Sequence, residues 1–336
     1  MIPQFVATPF FDPSTEELRY LPEGPRVLRN YHPGGNYLGW VAIQHGAGST
    51  EGSLNVLDLE SRTNITLPLK GRPGFFAEAA QRGVVLVGLD RQLAYFDLRT
   101  GRLLETVAHT DANPRTIVND GVAVEGGVFF GTKDLEFKEP IAALYFFESA
   151  GASLHTVLKR QTCSNGKYLR RDSECATLVD IDTAPKRISV YTLEPQMKRV
   201  AESRLVKPPE SLPAFPDGMR PAPEGGGLAE GDSVVVAFYN SADLSDGLAQ
   251  QIRLSDGAVL CEWIVPNSPR VTCPEFVWLD GKVKLIFTTA VEGMPDAIRS
   301  HAAGAGLLYI ADTPFERLPA APPFVPMIGD SFLTPA

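Results

Sequence analysis

The sequence lacks the motifs of several common enzyme chemistries. Its four cysteines have no CxxC spacing, so they do not indicate a zinc site, and its five histidines form no HExxH pair. It contains no GxSxG nucleophile elbow, and neither a Walker A sequence nor a GxGxxG sequence in a βαβ setting. These absences argue against a zinc protease, a hydrolase with that nucleophile elbow and a nucleotide-binding enzyme.

Runs of basic residues are also missing, and the net charge is −9. Nucleic acid and anionic membrane surfaces are therefore poor partners, whereas a cation or a neutral small molecule suits the charge. The N-terminal "MIPQFVATPFFDPSTEEL" lacks a basic segment followed by a continuous apolar stretch, and no stretch is apolar enough for a transmembrane helix. We therefore expect a cytoplasmic protein with reduced cysteines and a small-molecule substrate, while the oligomeric state is left open.

No window has the spacing of a long amphipathic helix, but a repeated unit runs through the 336 residues. Each unit opens with turn-type residues, continues into an apolar strand and then into a strand of alternating character such as "GSLNVLDLES". The units open at Glu23, Gly74, Asn119, Ser164, Pro216 and Cys273. Six units of about 50 residues with roughly four short strands each predict an all-β protein, a six-bladed β-propeller.

The repeat also predicts the domain organisation, a single domain over residues 1–336. The expected blades cover residues 21–70, 71–115, 116–160, 161–212, 213–268 and 269–314. We expect irregular segments before about Tyr20 and after about Pro314, where the tail is rich in proline.

Residues at equivalent positions of a propeller repeat surround the central channel at one height. Side-chain oxygens occur at this position in four units, at Glu23, Asn119 with Asp120, Asn165 and Asp217. Taken singly, "NDG", "SNG" and "PDG" are ordinary turn sequences, so a hairpin turn within "TIVNDGVAVEGGVFFGT" is the simpler interpretation. Taken together, two carboxylates and two amides converging on one axis are typical of a site for a hard cation.

At these residues the sequence resembles the regucalcin/gluconolactonase family, through "LPEGP", "TIVNDGVAVEGGVFFGT", "TCSNGKY", "FPDGM" and "VTCPEF" in this order. The resemblance implies a six-bladed propeller with a divalent cation in its channel. Calcium suits the ligands best, and magnesium, manganese or zinc are the alternatives. By resemblance, Glu23, Asn165 and Asp217 match the metal ligands. Asn119 either contacts substrate or completes the metal shell, and Asp120 orients the site.

The resemblance implies a metal-dependent hydrolase of a sugar lactone or related ester, with Asp217 as the base that accepts a proton from a metal-activated water. Two alternatives stay open: a non-catalytic propeller that binds a cation or ligand, and a phosphotriesterase similar to diisopropyl fluorophosphatase. The chain departs from animal regucalcins at Ile117, where they carry arginine, and its nearest basic residue is Arg115. Asp134 and Glu136 in the loop "KDLEFKEP" have no clear counterpart in the family.

Overall fold

The computed structural model describes residues 2–171, 175–242 and 245–328. In these ranges the chain forms 25 strands in six sheets, with a few very short helices. The N-terminal segment contains β1 (Gln4–Val6), β2 (Thr8–Phe11) and helix α1 (Glu16–Tyr20).

Three four-stranded sheets follow. The first contains β3 (Pro22–Leu28), β4 (Tyr37–Ala42), β5 (Gly52–Asp58) and β6 (Asn64–Leu69). The second contains β7 (Pro73–Glu78), β8 (Val84–Leu89), β9 (Gln92–Asp97) and β10 (Arg102–His109). The third contains β11 (Thr116–Val124), β12 (Gly127–Asp134), β13 (Ala142–Glu148) and β14 (Ser153–Gln161), with a 3₁₀ turn at Ser149–Gly151.

The remaining sheets occupy the second half of the chain. The fourth contains β15 (Ser164–Arg171), β16 (Ala176–Asp182), β17 (Arg187–Leu193) and β18 (Val200–Leu205), followed by a 3₁₀ turn at Pro209–Ser211. The fifth contains β19 (Phe215–Pro221), β20 (Ser233–Tyr239), β21 (Gly247–Arg253) and β22 (Val259–Val265). The sixth contains β23 (Val271–Leu279), β24 (Lys282–Thr289) and β25 (Leu308–Asp312), with helix α2 (Asp296–Arg299) before β25.

The six sheets are the blades of a β-propeller. Within each blade, consecutive strands pair antiparallel, and the first strand packs against the first strands of both neighbouring blades. The ring closes because the sixth blade takes its fourth strand, β2, from the N-terminal segment. Strand β1 pairs parallel with β22 at the edge of the fifth blade. The N-terminal segment expected to be irregular therefore supplies two strands. Neither α-helix of the described ranges is long and apolar enough to cross a membrane.

The hydrophobic core lies between the blades. Each interface has its own cluster of buried side chains, so both faces of every sheet are covered. Strand β13 shows the alternation: Tyr145 and Phe147 pack toward the second blade, whereas Phe146 packs toward the fourth. A strand covered on both faces has a nearly continuous apolar sequence, which accounts for runs such as "LYFF".

The described part of the proline-rich tail, up to residue 328, crosses one end of the disc. Val325 forms a parallel bridge with Ala79, and its amide donates to the carbonyl of Glu78 at 2.8 Å. Residues 318–323 cover a cavity of about 520 Å³ whose walls include Arg26 and Arg220. The tail therefore lies over one end of the channel, and the site described below lies at the other end.

Every first strand contains a β-bulge at an equivalent point. The register shifts lie between Glu23 and Arg26, Pro73 and Phe75, Val118 and Gly121, Ser164 and Lys167, Pro216 and Met219, and Val271 and Cys273. The hairpin interpretation of "NDG" is therefore wrong, because β11 runs unbroken from Thr116 to Val124 and turns only afterwards. A bulge re-aims the side chains at its own position, and the bulges of the first, third, fourth and fifth blades direct Glu23, Asn119, Asn165 and Asp217 into one pocket.

Candidate metal and substrate site

The bulges bring the sequence-predicted residues together at the end of the channel away from the tail. Glu23, Asn119, Asn165 and Asp217 line a pocket of about 520 Å³, and each is more than nine-tenths buried. Asp120 is equally buried but lies outside the pocket lining, with its Oδ1 accepting from the amide of Gly121 at 2.7 Å. Four of the five predicted residues therefore reach the pocket, and Asp120 lies behind them.

Asn165 is fixed by its amide nitrogen. Its Nδ2 donates to Oδ1 of Asp217 and, at 3.2 Å, to the hydroxyl of Thr183. Its Oδ1 is buried and has no hydrogen-bond partner. A buried carbonyl oxygen without a donor is costly, so this atom is suited to a ligand that brings positive charge.

Asn119 has the same arrangement in the neighbouring blade. Its Nδ2 donates to the carbonyl of Ser164 at 3.1 Å and to Sγ of Cys163 at 3.6 Å. Burial raises the pKa of the Cys163 thiol, so this sulfur stays protonated and unreactive. Both N–H groups of Asn119 are engaged, which leaves its Oδ1 as the side-chain atom with no partner among the residues described.

The pKa values of both pocket carboxylates, on Glu23 and Asp217, are raised. Burial, together with the negative charge of Asp120, raises the pKa of Glu23 to about 8. Burial also raises the pKa of Asp217 well above its ordinary value, with Glu23 as the next cause. Two buried acids at one point resist joint ionisation unless a positive charge is close by. A cation would satisfy this requirement, and the carboxylate and amide oxygens are all hard donors.

The donor set is mixed. Over the ranges 2–171, 175–242 and 245–328, no group of three or more His, Cys, Asp or Glu side chains is arranged to hold a metal. The candidate ligands are instead two carboxylates and two amides, on Glu23, Asp217, Asn119 and Asn165. These residues fit a divalent ion of the calcium type, because calcium accepts amide carbonyls alongside carboxylates.

A second layer beneath the pocket holds the bulges in place, and sequence reasoning missed it. Arg220 donates through Nε to Glu275 at 2.7 Å and through Nη2 to the carbonyl of Pro25 at 2.6 Å. Arg26 donates through Nη2 to the carbonyl of Gly121 at 3.1 Å, and its Nη1 lies 3.8 Å from Glu275. The layer joins the first, third, fifth and sixth blades. Its sequence signal is a basic residue three positions after Glu23 in "EGPR" and after Asp217 in "DGMR".

Lys167 has a similar role in the fourth blade. Its side chain is fully buried, and its Nζ donates to the backbone carbonyl of Asn165 and lies 3.2 Å from Oδ1 of Asp180. Asp180 also accepts from the hydroxyl of Ser164 at 2.9 Å. The bulge that carries Asn165 is therefore fixed by a buried ion pair, which positions the amide without a contact to the pocket.

The glycines after the site residues allow the blades to approach closely. A Cβ on Gly166 would lie 2.5 Å from the amide nitrogen of Met219 and 2.8 Å from the carbonyl oxygen of Asp217. A Cβ on Gly74 would lie 2.2 Å from the carbonyl oxygen of Asn119. Only glycine fits at such distances. The "NG" sequence in this protein therefore marks a junction between blades and not a turn.

The acidic loop after β12 has a structural role. Asp134 is buried and accepts from the backbone amides of Glu136, Lys138 and Glu139 at 3.2, 3.1 and 2.9 Å. Arg115 lies 2.8 Å from Asp134. Arg115 is thus committed to this loop and is not a basic residue of the pocket.

Two basic side chains line the pocket, those of Lys133 and Arg270. Lys133 pairs across strands β11 and β12 with Ile117, the position at which the sequence departs from animal regucalcins. Lys133 lines the pocket and is 6% exposed. Its Nζ lies 5.3 Å from the centroid of the Phe137 ring. Sequence reasoning missed it because the strand pairing, not the sequence spacing, brings it next to Ile117.

Comparison with known proteins decides the family. The profile of the SMP-30/gluconolactonase/LRE-like region matches residues 21–291. The chain belongs to this family. As a family member it shares the propeller, and the family supports a lactonase-type role in general terms.

Solved structures show the same fold. Regucalcin of Agrobacterium tumefaciens, described as a calcium-binding protein, is 19% identical with a TM-score of 0.73, covering 95% of this chain and 100% of its own. A luciferin-regenerating enzyme is 18% identical with a TM-score of 0.73, covering 91% and 96%. An auxiliary nutrient binding protein of Bacteroides ovatus is 9% identical with a TM-score of 0.59, covering 93% and 77%. At these identities, the similarity to the three solved structures shows a shared fold and nothing more.

Proposed function

We propose that this protein is a divalent-cation-dependent hydrolase of a sugar lactone or a related ester. The observation that carries the proposal is the buried amide oxygen of Asn165, which has no hydrogen-bond partner and lies in one pocket lining with the carboxylates of Glu23 and Asp217 and the amide of Asn119. These four groups line a pocket that opens to one end of the channel. A purely structural ion would be enclosed by protein ligands, whereas this arrangement leaves room for a substrate.

Glu23, Asn165 and Asp217 would hold the cation, with Asn119 as the fourth ligand through Oδ1. Calcium suits this set best, and magnesium, manganese or zinc are substitutes. When bound, the cation supplies Lewis-acid polarisation of the substrate carbonyl and lowers the pKa of a water.

Asp217 is the proposed base. The amide of Asn165 donates to its Oδ1, so that oxygen has a fixed orientation. Its Oδ2 has no hydrogen-bond partner within the described ranges and is the atom that would take a proton from water. A base held in this way needs little reorganisation in the transition state.

The walls of the pocket would bind the rest of the substrate. Its lining includes the apolar side chains of Leu21 and Ile43 and the rings of Phe137, Phe215 and Tyr239. Asn119 was expected either to contact substrate or to complete the metal shell. Because both of its N–H groups bond inside the protein, the proposal assigns Asn119 an acceptor role through Oδ1.

The test is a pH-indicator assay of lactones of five- and six-carbon aldonic acids, with calcium, manganese and zinc, on the wild type, Asp217→Asn and a control. Asp280→Asn is the control, because Asp280 is exposed and lies in a turn. We expect acid release by the wild type and the control, and a loss of about a hundredfold or more in Asp217→Asn. If the protein hydrolysed phosphotriesters and none of the lactones, the proposed substrate class would be wrong. Tight cation binding with no hydrolysis would overturn the proposed enzymatic function and indicate a binding protein.

A further inference from the structure

Lys133 is placed to contact whatever occupies the pocket. It lies at the end of β12, beside the bridge between Lys133 and Cys163 that joins the third blade to the start of the fourth. Its side chain is almost fully buried, and its amine lies over the ring of Phe137. The aliphatic stem is therefore enclosed, and the charged end is held at the pocket wall.

The charge of Lys133 is not neutralised by a close partner. In the part of the chain that the structure describes, no carboxylate oxygen lies within 4.0 Å of its Nζ. Among the other buried cations near the channel, Arg220 pairs with Glu275. Arg270 lines the same pocket and also has no carboxylate oxygen within 4.0 Å in the described ranges, but it donates to the backbone carbonyl of Glu292, a residue of the same pocket lining. A buried amine without an ion pair is costly unless its site supplies a counter-charge.

A count of charges indicates which counter-charge is missing. The layer beneath the pocket is neutral, because the two arginines Arg26 and Arg220 face Asp120 and Glu275. In the pocket itself, the carboxylates of Glu23, Asp217 and Glu292 and the cations Lys133 and Arg270 sum to −1 when all are ionised. A divalent cation changes this sum to +1. The loaded pocket is then one negative charge short of neutrality.

We infer that Lys133 selects a substrate that carries one ionised carboxylate in addition to its lactone, such as an acidic sugar lactone. This inference rests on the proposed function. An ammonium–carboxylate hydrogen bond in a buried site is about twice as strong as a neutral one. A phosphate monoester carries about −1.5 to −2 charges at neutral pH and would overcompensate the site. A neutral lactone would leave Lys133 without a counter-charge.

Three variants separate this role from a structural one. Lys133→Met keeps the length of the side chain and removes its charge, whereas Lys133→Arg keeps a positive charge. Lys138→Met is the matched control, because Lys138 lies on the following loop with a side chain that is 73% exposed. Thermal melting of all three establishes that they are folded.

The kinetic arm compares D-glucaro-1,4-lactone with D-glucono-1,4-lactone and 6-phospho-D-gluconolactone. We expect the wild type and the Lys138→Met and Lys133→Arg variants to favour the glucarolactone. Lys133→Met should lose tenfold or more in kcat/KM for that substrate, mainly through KM, and stay within about twofold for the neutral lactone. Equal losses on both lactones, or an unchanged preference, would overturn the inference. A preference for the phosphorylated lactone would also overturn the inference, because Lys133 would then recognise a phosphate and not a carboxylate.

The binding arm needs no turnover. Calcium-loaded protein is titrated in a calorimeter with D-glucuronate, whose one carboxylate is at the end of the sugar away from the lactone carbon, and with uncharged D-glucose. Glucuronate should bind the wild type at least tenfold more tightly than it binds Lys133→Met, and glucose should not distinguish the two proteins. Calcium itself should bind Lys133→Met more tightly, because a like charge has been removed. Absence of calcium binding to the wild type would instead refute the proposed function, and an equal glucuronate affinity in both proteins would refute the role of Lys133.

Discussion

The amide nitrogen of Asn165 donates to Oδ1 of Asp217 across the junction between the fourth and fifth blades. The two residues are 52 positions apart in sequence. Their contact fixes the carboxylate and turns the amide oxygen of Asn165 away from any protein donor. The contact also makes the geometry of the two candidate ligands interdependent, so substitutions at the junction should alter cation binding as well as stability.

Asn165→Asp removes this hydrogen bond and places a second carboxylate next to that of Asp217. Without a cation, their repulsion should destabilise the fold by about 1–3 kcal/mol. With calcium, the added negative charge should strengthen binding about tenfold. Thermal melting with a chelator and with excess calcium measures both effects, and the calcium-induced rise in Tm should be larger in the variant.

Glu60→Gln is the control for handling and ionic strength, because Glu60 is exposed and remote from the channel. A variant that melts like the wild type both with the chelator and with calcium would contradict a shared site for Asn165 and Asp217.

Gly166→Ala tests the close approach of the blades. The new Cβ would meet the backbone of Met219 and Asp217 and cannot be relieved by a side-chain rotation. We expect a loss of about 1–3 kcal/mol in urea unfolding, together with weaker calcium binding, because the strand that carries Asp217 must shift. Gly151→Ala is the matched control, since its Cβ would meet only the hydroxyl of Ser153 at 3.2 Å. Equal stability of the two variants would show that the junction is looser than described.

Arg220 and Glu275 form a buried pair whose value can be measured by a double-mutant cycle. Arg220→Met leaves the buried carboxylate of Glu275 and the carbonyl of Pro25 without this donor, which should cost about 3–5 kcal/mol. Removing both charges in Arg220→Met with Glu275→Leu should cost clearly less than the two single changes added together. Recovery should be partial, because Arg26 also lies 3.8 Å from Glu275. Additive losses in urea unfolding would contradict a coupled pair.

Asp134 should make stability depend on pH. Burial alone would raise the pKa of Asp134, but backbone amides and Arg115 outweigh it and hold the pKa below its ordinary value. A group with a lowered folded pKa contributes stability above its unfolded pKa of about 3.9, and this contribution is lost as the pH falls through the folded value. The wild type should therefore be more stable than Asp134→Asn at pH 7, and the difference should shrink below about pH 4. Urea midpoints at pH 3 to 7 provide the measurement, and a difference that does not change with pH would contradict the prediction.

The repeat and the identity of the oxygen-bearing residues could be inferred from the sequence alone. A propeller repeats one unit, so equivalent positions face one axis whatever the details of the blades. Glu23, Asn165 and Asp217 could therefore be identified together from the sequence, although each is followed by glycine, an ordinary turn residue. Their roles as ligands remain predictions.

The tertiary structure decided the features that depend on pairing between distant residues. Local sequence does not distinguish a bulge at Asn119 from a turn, because glycine and asparagine suit both. The use of β2 as the outer strand of the sixth blade, and the pairing of Lys133 with Ile117, follow from closure of the ring and from strand register. The orientation of the Asn165 amide depends on Asp217 in the next blade. These relationships arise only when the blades pack, because each joins atoms that sequence spacing leaves far apart.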